Sequence, residues 1–165
     1  APKVVYLWRH PAAVADSFHR MGWQGPQFAA SFSRETLERE VPQYGEFDSF
    51  WSESAAFQAF IHRWVLDRVA KSESFRLVRY EDLCADPIAG FRALYDFGGL
   101  QWDSAVEARI GQGTPRGAVD ESPYSTKRNS TYEANKWRSD LSAEQRVEIE
   151  RGWCEAGAPL HVDFW

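Results

Sequence analysis

The sequence predicts an α/β fold built on a parallel sheet, from two apolar strands, the helical stretch that follows each, and a length that suits one core. The first strand is "KVVYLW", residues 3 to 8, continuously apolar from Val4 to Trp8 and rich in β-branched and aromatic side chains. The second is "FRLVRY", residues 75 to 80. Strand, helix, strand, helix is the order that gives parallel strands joined by right-handed crossovers. With 165 residues, 44% of them hydrophobic and 15% aromatic, the chain can offset the entropy of ordering its backbone and is expected to form a single domain over residues 1–165.

Each element has its own local reason. The apolar run of the first strand predicts a central strand covered on both faces. Pro11 suits the first turn of a helix, and Val14, Phe18 and Met21 recur at helical spacing, so the pattern predicts a helix over 11–21 that Gly22 ends. Residues 22–48 are an insertion holding Gly25, Pro26, Pro42 and Gly45, with a short helix in "SRETLERE" capped by Ser33. From Asp48 to Lys71 a longer amphipathic helix is expected, its stripe formed by Phe50, Phe57, Phe60, Ile61, Trp64, Val65 and Val69, enough to cover one face of a sheet.

"PIAGFRALYDFGG" reads as a helix closed by Gly98 or Gly99. Residues 111–136 are rich in glycine, proline, serine and threonine, and a loop of that length is more often functional than idle. Ser142 and Gln145 make a capping box for a last helix to about Glu155. Two parallel strands leave two unpaired edges, so a further strand is expected, most simply upstream.

The net charge of −5 argues against a general attraction to nucleic acid or to an anionic membrane. No apolar run reaches the roughly eighteen residues of a membrane span, and the start lacks the pattern of a signal peptide. A cytoplasmic location is the default expectation; a Golgi-type anchor would have to lie upstream. Cys84 and Cys154 have no CxxC spacing, and the four histidines show no HxxxH or HExxH, so no metal is expected. His62, among apolar neighbours on the long helix, reads as structural.

In an open parallel sheet ligands gather at the carboxyl ends of the strands and at the helix starts that follow. Arg9 and Tyr80 both lie there. Arg9 offers a planar fork of donors to a phosphate, and Ser17, on the next helix, carries a hydroxyl that can face the same pocket; an arginine paired with an acid and a tolerated helical serine is the plainer alternative. "YSTKRNST", residues 124–131, sets Lys127 and Arg128 among hydroxyl side chains, as a phosphate-closing loop would, or as a solvated loop would. "GQGTPRG", residues 111–117, lacks the lysine and hydroxyl of a phosphate loop, follows no strand, and reads as loop.

The order of these segments resembles the sulfotransferases that use 3'-phosphoadenosine-5'-phosphosulfate (PAPS), most closely those of bacterial cells and of carbohydrate modification. The resemblance rests on "KVVYLWRHPAAVADSFHRMGW", "FRLVRYEDLCADPIAGFRALYDFGGL" and "YSTKRNSTYEANKWRSDLSAEQ". It implies a P-loop-like three-layer fold with a parallel sheet, in which an acceptor hydroxyl, deprotonated by a base, attacks the sulfur and 3',5'-diphosphoadenosine leaves. By resemblance Arg9 and Ser17, eight residues apart, grip the 3'-phosphate, and Lys127, Arg128 and Ser130 close on it with Trp137 as packing. Tyr80 then lies near the adenine, residues 22–60 supply part of the wall for the acceptor, a carbohydrate by preference, and no metal takes part.

One part of the family's pattern has no counterpart in this sequence: the phosphosulfate-binding strand, loop and helix. That loop and the catalytic base are expected ahead of Ala1, which makes residues 1–165 a partial sulfotransferase domain, inactive alone. Two other classes remain in view, a sulfotransferase-like domain that binds a nucleotide or partner without turnover, and a relative of nucleotide kinases.

Overall fold

The structure is a computed structural model that describes residues 2–23, 34–42, 44–69, 71–113 and 130–158. The described chain forms two compact units, one of Ala1–Arg9 with Ser72–Lys136 and one of His10–Lys71 with Trp137–Trp165. Its architecture is α/β, mostly helical, with a small parallel sheet.

The first unit holds both described strands, β1 (Val4–Trp8) and β2 (Phe75–Arg79), paired in parallel with Val4 opposite Phe75 and Trp8 opposite Arg79. The expectation that β1 is covered on both faces is corrected: Val4 is 47% and Leu7 50% exposed, and only Trp8 is buried. The reason is coverage, since among the described residues β2 is the one strand hydrogen-bonded to β1. β2 runs directly into a short helix over Tyr80–Ala85, then a second over Pro87–Gly98 whose Pro87 stands in its first turn and whose start Asp86 caps through the Ala89 N–H at 3.1 Å. Gly99, at φ 67°, ends it in the left-handed conformation that a side chain would resist.

A helix over Ser104–Gly113 was not legible as a pattern, and residues 111 to 113, expected as loop, form its last turn. Its local signal is Asp103, whose Oδ1 accepts from the Ala105 and Val106 N–H groups, both at 2.9 Å. Residues 130–136, assigned to the long loop, contain a further helical turn and a half at Ser130–Asn135. Residues 114–129 lie outside the described part, as does Ser33.

The second unit is helical. Its first helix, Pro11–Arg20, is capped by an unexpected residue: His10 is buried, and its Nδ1 accepts the Ala12 N–H at 3.1 Å while its ring stacks on Trp137 at 4.1 Å. Gly22 follows at φ 70°. Arg34–Glu40 forms the short helix of the insertion. The last helix, Ala143–Glu155, starts on the expected box, with Ser142 Oγ accepting from Gln145 N at 3.2 Å and Gln145 Oε1 accepting from Ser142 N at 2.8 Å.

Of the expected aromatic stripe of the long helix, Phe50–Val69, Phe60 is buried, and the rest of the buried face is made largely of small residues. Ser52, Ser54, Ala55, Ala56, Ala59, Phe60 and His62 are buried, whereas Trp64 is 42% exposed. Small residues win because the partner is another helix at close range. Gly152 of the last helix lies against the Ser52 backbone, and Ile149 and Trp153 are buried beside it. A polar seam runs along the same contact: Ser49 Oγ donates to Glu148 at 3.0 Å, and Arg151 donates to Glu148 at 2.8 Å and to Asp48 at 3.0 Å. His62 lies fully buried with its ring 5.5 Å from Trp153, as a structural histidine would.

Candidate functional site

The register of the sheet assembles the first part of the site. Because Trp8 pairs with Arg79, the next residue of each strand, Arg9 and Tyr80, emerges at the same carboxyl end. The Arg9 guanidinium lies over the Tyr80 ring at 4.8 Å, and its Nη2 donates to the Glu133 carbonyl at 2.7 Å. Its Nε is buried with no hydrogen-bond partner among the described residues. A buried guanidinium N–H without an acceptor is costly, and an anion is the natural group to relieve it.

Tyr80 and Cys84 stand four residues apart on the same face of helix Tyr80–Ala85. Burial pushes the Tyr80 phenol up to about 12, with the neighbouring Cys84 side chain adding to the push and the Arg9 charge opposing it. Burial likewise raises the Cys84 thiol, so at neutral pH it stays protonated. The Cys84 carbonyl accepts from the Thr131 hydroxyl at 3.1 Å. Arg9, Tyr80, Cys84, Thr131 and Glu133 therefore form one connected cluster in the first unit.

The phenols give a direct test. Tyr6 is also raised to about 12 by burial, and both groups are neutral in the fold. Their folded values exceed the ordinary phenol value of 10.0, so the stability they contribute is complete below pH 10 and is lost as pH climbs toward 12. Phenolate absorbance during alkaline titration is expected to show at least two late phenols. A single transition of all tyrosines near pH 10 would contradict this packing.

Ser17 and Trp137 belong to the second unit, Ser17 half-buried on helix Pro11–Arg20 and Trp137 buried on helix Trp137–Asp140. Lys127 and Arg128 lie outside the described residues, and Ser130 opens helix Ser130–Asn135. The sequence counts Thr131 only among the hydroxyls of the polar loop, and it marks neither Cys84 nor the Glu133 carbonyl, although Tyr80 and Cys84 have i, i+4 spacing. A groove of about 320 Å³ is lined by β2, Leu83, Gly90 and Leu94, among others; no candidate nucleotide contact lines it. Among the described residues no cluster of acidic, histidine and cysteine side chains could hold a metal ion, and no helix is long and apolar enough to cross a membrane.

The family model described as "Sulfotransferase family" matches residues 1–104, which include both strands, Arg9, Ser17 and Tyr80. The chain belongs to the sulfotransferase family. Among curated sulfotransferases it is similar to carbohydrate sulfotransferase 1 of Mus musculus, 43% identical over 70 residues, 41% of this chain and 17% of that protein. It is also similar to carbohydrate sulfotransferase 2 of Mus musculus, 35% identical over 77 residues, and to carbohydrate sulfotransferase 5 of Homo sapiens, 39% identical over 79 residues. These two matches each take in 46% of this chain and, respectively, 14% and 19% of the relative, so the chain spans less than a fifth of the length of these sulfotransferases. No solved structure matches it.

Proposed function

We propose that residues 1–165 form the nucleotide side of a P-loop-like domain that transfers a sulfuryl group from PAPS to a hydroxyl of a carbohydrate. The observation that carries this reading is Arg9: a strand-end guanidinium stacked on an aromatic ring, with a buried Nε–H that has no acceptor among the described residues. Family membership and the names of the carbohydrate sulfotransferase relatives support the chemistry and the acceptor class.

The donor set fits such a nucleotide. Arg9 would bind the 3'-phosphate through its remaining guanidinium N–H groups, with Ser17, Lys127, Arg128 and Ser130 as further donors. Tyr80 has one ring face under Arg9 and would hold the adenine by its other face or its edge. The bound nucleotide would supply the activated sulfuryl group; the chain's residues here bind and orient it. In this reading the two compact units are parts of one domain, and the base and sulfate-side loop lie outside residues 1–165.

Two measurements test it. Calorimetry should show that 3',5'-diphosphoadenosine binds more tightly than adenosine 5'-phosphate, and equal binding would remove the cofactor assignment. The 165-residue chain, incubated with PAPS and a panel of sugars, is expected to give no sulfuryl transfer. Product above the uncatalysed background would show that the catalytic groups lie within it.

A further inference from the structure

We propose that Thr131 is a positioning residue for Arg9, acting through the Cys84 carbonyl; the proposal deepens the nucleotide reading above and rests on it. Helix Ser130–Asn135 has only six residues, too few to hold its own place by backbone hydrogen bonds. Two bonds dock it. The Thr131 hydroxyl donates to the Cys84 carbonyl at 3.1 Å, and two residues later the Glu133 carbonyl accepts from Arg9 Nη2 at 2.7 Å. Cys84 lies in the last turn of helix Tyr80–Ala85, where carbonyls run out of intrahelical donors, so the Thr131 hydroxyl meets an acceptor that needs one.

The same short helix carries Tyr80, whose ring lies under Arg9. The contacts close a ring: Thr131 to the Cys84 carbonyl, along helix Tyr80–Ala85 to Tyr80, Tyr80 to Arg9, Arg9 to Glu133, and Glu133 back along its helix to Thr131. A closed ring fixes the guanidinium plane from both its stacked face and one edge. It thereby decides which N–H groups of Arg9 remain directed at a ligand. Losing the Thr131 bond removes one restraint that keeps the Glu133 carbonyl beside Arg9, and the guanidinium then loses part of the preorganisation that favours a phosphate.

The test uses Thr131→Val, which keeps the shape and removes the hydroxyl, Thr131→Ser, which restores it, Arg9→Ala, and the double variant. Thr131→Val should weaken 3',5'-diphosphoadenosine about three- to tenfold, the worth of one ordinary hydrogen bond, and leave adenosine 5'-phosphate nearly unchanged. Thr131→Ser should bind as wild type, and Thr131→Val should add nothing to Arg9→Ala, because its effect runs through that side chain. Equal weakening of both nucleotides, or additive losses in the double variant, would overturn the proposal in favour of a merely structural threonine. If the wild type shows no preference for the 3'-phosphate, the nucleotide reading fails by itself. The side-chain NMR signals of Arg9 then decide the positioning claim. Hindered guanidinium rotation in wild type and Thr131→Ser that is lost in Thr131→Val upholds it, and an unchanged signal overturns it.

Discussion

Arg9→Ala is expected to weaken 3',5'-diphosphoadenosine about ten- to a hundredfold, because a hydrogen bond to a charged group contributes roughly 1.5–3 kcal/mol. Adenosine 5'-phosphate, which lacks the 3'-phosphate, should lose little. The contrast between the two nucleotides is what makes the measurement specific. The substitution also removes the contact over Tyr80 and the bond to the Glu133 carbonyl, and a general loosening of this cluster would lower both affinities together. Arg9→Lys should fall between wild type and alanine, since it keeps the charge but not the planar fork. An alanine variant that retains full selectivity for the 3'-phosphorylated nucleotide would remove Arg9 from the site.

Gly152→Ala should be the most damaging single-methyl change in the second unit. A Cβ there would meet the Ser52 carbonyl group, with the carbonyl carbon 2.8 Å and the Cα 2.9 Å away, and backbone atoms inside a helix cannot step aside. The helix preference of alanine over glycine returns about 1 kcal/mol, and overpacking at a close helix contact costs more, for a net loss of about 2 kcal/mol or more. For a chain of this size that lowers the melting temperature by roughly 4–8 °C. Gly90→Ala is the control. Its new Cβ would meet only Leu83 Cδ2, at 2.5 Å, the end of a side chain that can turn away, and the helix preference then offsets most of the strain. Gly152→Ala melting at or above the wild type would show that the two helices do not approach this closely.

Features of short range were legible in the sequence. Pro11, Gly22, Gly99 and the pair Ser142 and Gln145 mark helix ends in the structure where the sequence placed them, because a cap is satisfied within three or four residues of itself. The parallel pairing followed from element order, and the placing of Arg9 and Tyr80 at one end followed from the pairing. Tertiary structure decided what depends on a distant partner. The sequence offered the aromatic stripe of helix Phe50–Val69 as its buried face. The structure buries Phe60 of that stripe but otherwise mainly alanines and serines, since Gly152, about a hundred residues away, brings another helix up against the Ser52 backbone. The strand Val4–Trp8 reads as wholly buried by composition, yet its exposure is set by how many neighbours cover it. The cluster of Cys84, Thr131 and the Glu133 carbonyl around Arg9 was out of reach for the same reason. A backbone carbonyl has no signature in a sequence, and whether a threonine hydroxyl meets one depends on where the fold carries the helix that bears it.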